Sequence, residues 1–463
     1  MRREYLIVFP RKQYLIHTEE GRGRPSLFLF NFKKIGYCTV SSINMFCRIG
    51  IHTMIDRALL RQSPDQVENL IRKKDPEFPF KKLTDLDLSV RTLLAEVEGL
   101  RQKKNDLTAQ AKTGVTDVLR EQSVVIGKTL KAKEQELENV QKIFDDLFLT
   151  CPNLLFEDVP DGGKESNKVV RVHGVKPEFS FPIKNHLELG QQNGWFNFDA
   201  AVTMTGSGFP FYQKDSVKLI YALAMFMLKN NAKHGFEAVI PPALVNQQTL
   251  TVSGNFPKFK EEVFTVADDG LYLIPTSEVA LANIYRDSIL DADALPVRLT
   301  SWTSCFRREA GNYGKMERGL IRIHQFEKVE LFSICEPQNS TQELEKMVAC
   351  AESILQQLGL HYQISLLAAQ DCSFQSAKTY DIEVWLPGQN RYYEVSSASN
   401  CTDFQSRRGK IRYRCAQGEK TQLVHTLNAS SLALPRLMVA LMETYQQPDG
   451  TIDLPDVLKR EMF

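Results

Sequence analysis

The sequence predicts an α+β chain, a mainly antiparallel sheet preceded by an antiparallel helical coiled-coil arm. Three observations predict it. Leucines recur every seventh residue between residues 83 and 150. Beyond about residue 165, helical and strand-like segments alternate without the steady strand–helix rhythm of a doubly wound fold. Neither G-x-x-x-x-G-K-[ST] nor G-x-G-x-x-G after a strand occurs. A nucleotide, if bound, is held some other way.

The 463 residues are too many for one simple core, so two or three domains are expected. A net charge of +1 excludes neither nucleic acid nor an anionic substrate, because it can conceal local basic patches. The nine cysteines are scattered, without Cys-x-x-Cys spacing or clustered histidines. That pattern speaks against a disulfide scaffold and against structural zinc, and fits a reducing compartment. No apolar run is long enough to span a membrane.

Residues 1–53 stand apart. They are basic, with Arg2, Arg3, Arg11, Lys12, Arg22, Arg24, Lys33, Lys34 and Arg48 against Glu4, Glu19 and Glu20. Two readings stay open: an organelle transit peptide, or a start codon assigned too early, with the protein beginning at Met54. The compartment follows that choice, cytoplasmic by default and a mitochondrial or plastid matrix if the segment is a transit peptide.

A helical domain is expected over 54–155. Leu86, Leu93, Leu100 and Leu107 fall seven apart, with Val90 and Val97 between them. After "KTGVT" a second set follows in Leu130, Leu137 and Phe144, with Ile126, Val140 and Leu147. Heptads broken by one Gly-containing turn predict two helices folded back on each other. Arg101, Lys103, Lys104, Lys112, Lys128, Lys131 and Lys133 lie off the seam. They are either an ordinary solvated face or a surface for a phosphate backbone. "TCPNLLFEDVPDGGKESNK" then reads as a linker, and 165–463 as the second domain.

Within it, "FRREAGNYGKMERGLIRIHQFEKVELF" (306–332) reads as two strands around a glycine-rich loop. On the return strand Ile321, Ile323, Val329 and Leu331 share one face, and Arg322, His324, Phe326, Lys328 and Glu330 the other. Arg307 and Glu309, two apart, are expected to share a face. Guanidinium for phosphate, carboxylates for amines or a metal, and a ring for stacking a base would suit a nucleotide. A salt-bridged sheet face beside an ordinary turn would look the same.

That stretch resembles the second signature motif of class II aminoacyl-tRNA synthetases, in the wording of seryl-tRNA synthetases of bacterial or organellar type. "MIDRALLRQSPDQVENLIRKKDP" looks like that family's opening, and the coiled coil falls where the family has its tRNA-binding arm. "HGFEAVIPPALV" resembles the first class II motif and "LIPTSEVAL" the amino-acid loop. "AKTYDIEVWLPGQNRYYEVSSASNCTDFQSRR" resembles the catalytic core, and "LVHTLNASSLALPRLMVALMETYQQPDG" the third motif. The likeness runs from Met54 nearly to the C-terminus.

The resemblance implies an antiparallel-sheet class II catalytic domain and a serine–tRNA ligase. ATP and L-serine would give seryl-adenylate and pyrophosphate, and serine would pass to the 3′ end of tRNA(Ser), and of tRNA(Sec) where present. It implies that Arg307 meets the α-phosphate, Glu309 the adenosine amine, Phe326 the adenine ring, and Arg436 the γ-phosphate. Arg308, Glu394, Val395, Ser396 and Ser397 complete the ATP contacts, with Glu394 and Ser397 on Mg²⁺. Serine would be held by Thr276, Ser277, Glu278, Glu330 and Ser430. It further implies a homodimer about the 234–245 segment, and an arm that takes the long variable arm of serine tRNAs.

Where the family usually reads Asn-Gly-Ser-Gly, this chain has Asn428, Ala429, Ser430 and Ser431; a glycine and a methionine give way to Gln370 and Cys372. A positive φ at either former glycine would cost roughly 1 kcal/mol or more and shift Ser430. The alternative function is a weakened paralogue that binds RNA or protein. Such a paralogue loses its ATP-contacting residues first, yet Arg307, Glu309, Phe326, Glu394 and Arg436 are all present. A coiled-coil scaffold would leave the C-terminal domain unexplained.

Overall fold

The computed structural model describes the backbone of residues 3–9 and 12–18, and residues 55–112, 114–310, 319–415 and 419–463. The chain forms two units, Met1–Gly50 and Ile51–Phe463. In the first, β1 (Arg3–Phe9) and β2 (Lys12–Thr18) pair antiparallel, Arg3 opposite Thr18. Most of the 1–53 segment, on which the transit-peptide reading rests, lies outside the described residues.

The second unit opens with α1 (Arg57–Gln62), capped by the Asp56 carboxylate, and α2 (Pro64–Lys74), started by Pro64. A first-turn proline has its φ already set and lacks an N–H that would have no helical partner. The arm follows as α3 (Phe80–Ala111) and α4 (Asp117–Phe148), the latter begun by the Thr116 hydroxyl, which accepts from the Leu119 N–H. With 32 residues in each helix, the arm reaches about 48 Å. Val90, Leu93 and Val97 of α3 and Leu130, Leu137 and Phe144 of α4 are buried in the seam. Farther out Leu107 and Ile126 are half-buried, and Val118 and Val125 exposed. Arg101 and Lys133, expected on a free outer face, instead cross-link the helices, Arg101 to Glu134 at 2.7 Å and Lys133 to Glu96 at 2.9 Å.

The arm's root holds two buried carboxylates that no heptad announces. Asp87 takes a bidentate Arg61 at 2.7 and 3.0 Å and Arg91 at 2.9 Å. Asp145 takes Arg57 at 2.9 Å, and that guanidinium lies 4.8 Å above the Phe144 ring. Burial raises the Asp145 carboxyl above its ordinary range despite this partner. Phe144 is fully enclosed, so Phe144→Ala leaves a cavity and also removes the ring beneath Arg57. A loss of about 3–5 kcal/mol is expected in urea unfolding.

The 150–168 stretch, expected as a linker, is a packed connector. Cys151, Leu155 and Val159 are buried, and the Asn153 amide donates to the Gln375 and Cys401 carbonyls, both at 2.9 Å. The side-chain clusters of the arm's root include Phe374 and Phe404 from the sheet-bearing part. The root is therefore seated rather than tethered.

Then come β3 (Lys168–His173), α5 (His186–Asn193), α6 (Phe198–Thr205), α7 (Asp215–Lys233), β4 (Glu237–Ala238), β5 (Leu244–Asn246) and α8 (Gln247–Ser253). Next are β6 (Thr265–Val266), β7 (Leu271–Leu273), α9 (Glu278–Leu281), β8 (Ile289–Asp291), β9 (Val297–Phe306), β10 (Gln325–Cys335) and α10 (Ser340–Gln357). The chain closes through β11 (Tyr362–Leu366), β12 (Lys378–Leu386), β13 (Arg391–Asn400), α11 (Phe404–Gly409), β14 (Arg412–Arg414), β15 (Gln422–Leu423), β16 (His425–Ala433), α12 (Leu434–Thr444) and α13 (Asp456–Lys459). Eight strands form the main sheet in the order β3-β11-β12-β13-β16-β10-β9-β4. It is antiparallel except for the short β4–β9 pair, as the sequence predicts.

β10 shows why this sheet has two faces. Val329, Leu331 and Cys335 enter the main core with residues of α7, α10 and α12. Phe326, Lys328 and Glu330 point the other way, since side chains alternate across a strand. The return strand is shorter than expected: it starts at Gln325, and residues 319–324 form turns and bends. Leu320, Ile321 and Ile323 are buried all the same.

Candidate active site

On the second face of β10 lies an open cleft. Arg307, Glu309, Arg322, Phe326, Lys328, Glu394, Val395, Ser430 and Arg436 line it. They come from β10, β13, β16, the start of α12, and the turns at the ends of β9 and β10. Pairing fixes their relation: Phe326 is opposite Cys305, Glu330 opposite both Ser301 and Ser430, and Ala429 opposite Ala398.

Arg307 and Glu309 do not share a strand face. β9 ends at Phe306, and Glu309 has φ 51°. The chain has already turned there, and the left-handed turn rather than strand alternation directs the carboxylate. Glu309 forms an ion pair with Arg322. Arg307 donates to the Pro275 carbonyl at 3.3 Å, with its guanidinium carbon 5.3 Å from the Phe326 ring centre. Two of the loop's glycines, Gly311 and Gly314, lie outside the described residues; Gly319 at the loop's end has φ 72°.

Across the cleft Arg436 donates to the Glu394 carbonyl at 2.8 Å and lies 3.3 Å from the Glu394 carboxylate. Its guanidinium sits over Tyr393 at 5.3 Å. Two guanidiniums thus flank the space in which an anion would lie.

Past Lys328 the surface gives way to a buried polar pocket. Lys328 and Glu330 form an ion pair, Lys328 Nζ donates to Thr276 Oγ1 at 2.7 Å, and that hydroxyl lies 3.0 Å from Glu330 Oε2. The Glu278 N–H points at Thr276 Oγ1 from 3.3 Å, and the Glu278 carboxylate accepts from Gln405 and Asn428 at 2.8 and 3.0 Å. Burial, then the charge of Glu330, pushes the Glu278 carboxyl up to about 7. Burial also raises Glu330, with Lys328 working against the rise.

The other residues named from sequence fall into distinct places. Arg308 is exposed and is not among the cleft's lining; its N–H bonds the Glu262 carbonyl. Ser396 is buried and donates to the Ser430 carbonyl, a contact between strands. Ser277 is buried with its hydroxyl unpartnered. Ser397 lies opposite Asp381 on β12. Arg322 and Lys328 have no assigned role in the sequence reading although strand alternation puts them on the charged face. Gln405 and Asp381 carry no signal beyond their place in a quoted motif.

Ala429 and Ser431 are not under strain. Neither has a positive φ, and the left-handed residue is Leu432 at 82°. Ala429 sits within the β16 ladder, and the Ser431 hydroxyl donates to Asn231 Oδ1 at 2.8 Å. The substitutions therefore leave the backbone at Ser430 in register.

An antiparallel sheet thus carries helices on one face and a basic, aromatic cleft on the other, and a helical arm precedes it. The profile of the tRNA synthetase class II core domain (G, H, P, S and T) matches residues 261–445, and that of the seryl-tRNA synthetase N-terminal domain residues 54–155. The chain is 44% identical over 418 residues to the serine–tRNA ligase of Desulfotalea psychrophila, covering 88% of this chain and 98% of that one. It is 45% identical over 415 residues to the serine–tRNA ligase of a Hydrogenobaculum species, with the same coverage. The crystal structure of seryl-tRNA synthetase from Pyrococcus horikoshii complexed with ATP matches with a TM-score of 0.83 at 34% identity, over 88% of this chain and 98% of that one. The cytoplasmic serine–tRNA ligase of Naegleria fowleri in complex with AMP matches with 0.77 at 28%, over 89% and 97%. The chain belongs to the seryl-tRNA synthetase family.

Proposed function

We propose that this protein activates L-serine with ATP and transfers it to the 3′ end of tRNA(Ser), and of tRNA(Sec) where that tRNA is present. The observation that carries this reading is the sharing of one strand: Phe326 and Lys328 line the basic cleft, and Glu330, two residues on, lies in the buried carboxylate pocket. Nucleotide and amino-acid sites laid end to end are what adenylation requires.

In the first step the serine carboxylate attacks the α-phosphorus, one P–O bond forms, and pyrophosphate leaves. Two anions must approach, so positioning and charge neutralisation carry the rate. Arg307 serves the α-phosphate and Arg436 the γ-phosphate, supported by their facing positions across the cleft. The Phe326 ring, with Arg307 against it, suits a purine stack. Glu309, held by Arg322, accepts from the adenosine amine. Thr276, Glu278, Glu330 and Ser430 receive serine, and a site that hydrogen-bonds the substrate hydroxyl rejects alanine by leaving those groups unpaired. Serine-dependent ATP–pyrophosphate exchange, with alanine and threonine as competitors, tests the reading; exchange that is absent, or no faster with serine, defeats it.

ATP-dependent ligation in this class calls for a divalent cation, and the donor set fits Mg²⁺. Asp381 Oδ1 is buried without a hydrogen-bond partner, and burial together with the Glu394 charge raises its carboxyl well above the usual range. Glu394 on the cleft, with Ser397 on the same strand and Asp381 opposite it on β12, offers hard oxygens of the kind Mg²⁺ takes. Glu394 and Ser397 would hold the ion, which supplies charge neutralisation on the phosphates.

The Glu278 carboxyl predicts a pH profile. An ammonium substrate needs the ionised form, and Lys328 and Glu330 are the charged neighbours. Below about pH 7, kcat/KM for serine should fall towards tenfold per unit while KM for ATP holds. Exchange rates from pH 5.5 to 8.5 check this, and a flat profile contradicts it.

A homodimer is part of the proposal. Ile240 is 92% exposed within the 234–245 segment, with Tyr221, Met225 and Leu244 also exposed. Exposed apolar side chains on and near this segment suit an isologous contact. Sedimentation at micromolar concentration should give the dimer mass; a monomer alone rules it out. The arm's exposed Lys103, Lys104, Lys112, Lys128 and Lys131 suit the tRNA backbone. Among the described residues no helix is long and apolar enough to cross a membrane. The buried free thiols Cys151, Cys305, Cys335, Cys350, Cys372 and Cys401 fit a reducing compartment, cytosol or organelle matrix.

A further inference from the structure

Gln405 is fully buried on α11, 127 residues from Glu278 in sequence, and has no part in the proposed adenylation step beyond its bond to that carboxylate. Its Nε2 donates to the Ser253 carbonyl at 3.1 Å and to Glu278 Oε1 at 2.8 Å. Two acceptors fix which end of the amide faces the pocket, leaving Gln405 Oε1 without a partner. A buried, unpartnered amide oxygen is costly and calls for a reason. Asn428 Nδ2 donates to the same carboxylate oxygen at 3.0 Å.

The two buried carboxylates of the pocket are therefore treated differently. Glu330 has an internal counter-charge in Lys328. Glu278 is solvated by neutral amides, Gln405 and Asn428. Neutral donors hold a carboxylate in place without cancelling its charge. A carboxylate oxygen that accepts two N–H bonds has both lone pairs committed, so a ligand must use the other one.

We infer that Gln405 is a positioning residue for the serine site: with Asn428 it clamps Glu278 through Oε1 and presents Oε2, still negatively charged, to the substrate ammonium. The inference rests on the serine–tRNA ligase reading. α11 also carries Arg408, which donates to the Leu149 carbonyl at the arm's root at 2.9 Å, so the clamp stands on a well-anchored helix.

The test is steady-state exchange with Gln405→Leu, which keeps the bulk and removes the donor. The KM for serine should rise roughly 10- to 100-fold, the range for a lost hydrogen bond to a charged group, with the KM for ATP within about twofold. The acid limb of kcat/KM for serine should move to higher pH, because the lost donor favoured the ionised carboxylate. Asn428→Leu removes the second donor without touching Ser253 and should split the two KM values in the same direction. Equal changes in both KM values, an unmoved acid limb, or failure of both variants to fold would make the pair structural and overturn the inference. A wild-type chain without serine-dependent exchange would overturn the function itself; an active wild type with unsplit variants overturns only the clamp.

Discussion

Arg307→Ala and Arg436→Ala should each lower serine-dependent exchange by about 100- to 1,000-fold while the protein stays folded. Removing a single preorganised donor to charge that develops in the transition state costs about that much. Each side chain makes few contacts in the ligand-free protein. Arg307 has one carbonyl at 3.3 Å and the Phe326 ring; Arg436 has two carbonyls, the partly exposed Glu394 and the Tyr393 ring. Their loss should barely move the unfolding midpoint. Thermal unfolding beside exchange kinetics separates the two effects, and near wild-type exchange in either variant would remove that residue from the mechanism.

Shortening the arm should have the opposite profile. Phe144, Asp145 and Asp87 belong to the packed root, so the cut must spare them. The Arg101–Glu134 and Lys133–Glu96 pairs mark where the helices face each other farther out. Deleting residues 98–133 and joining the ends with a short linker keeps the root. Exchange should stay within about threefold, since the cleft is made by other elements. Charging of tRNA should fall by two orders of magnitude or more, and the salt dependence of tRNA binding should flatten, because phosphate contacts release counterions. Unchanged tRNA affinity would make the arm a spacer. Equal loss of both activities would give it a folding role.

What the sequence made legible follows from the range of each signal. The arm is local and periodic, and its seam is where the leucines say. The charged and apolar faces of β10 follow from strand alternation. The left-handed turn at Glu309 does not: a strand pattern carries no sign that the strand has ended at Phe306. Asp87 and Asp145 hide because a buried carboxylate at a heptad position looks like a solvated one until its arginine, tens of residues away in sequence, is known. Gln405 is the clearest case. Its role exists only through Glu278, far along the chain, and a glutamine beside two arginines reads as surface. The connector at 150–168 differs from its expected linker for a related reason. Pro, Gly and polar residues do signal irregular backbone, but such backbone can still be seated: the Asn153 N–H donates to the Phe374 carbonyl and its side-chain amide to the Gln375 and Cys401 carbonyls.

The most direct measurement is aminoacylation by the full chain of a serine tRNA transcript with labelled serine, in the presence of ATP and Mg²⁺. ATP-dependent, serine-specific esterification of the 3′-terminal ribose is expected, with no charging of a tRNA that lacks a long variable arm. Tight binding of that tRNA without any esterification would contradict it, and would recast the chain as an RNA-binding relative that has kept the cleft and lost its chemistry.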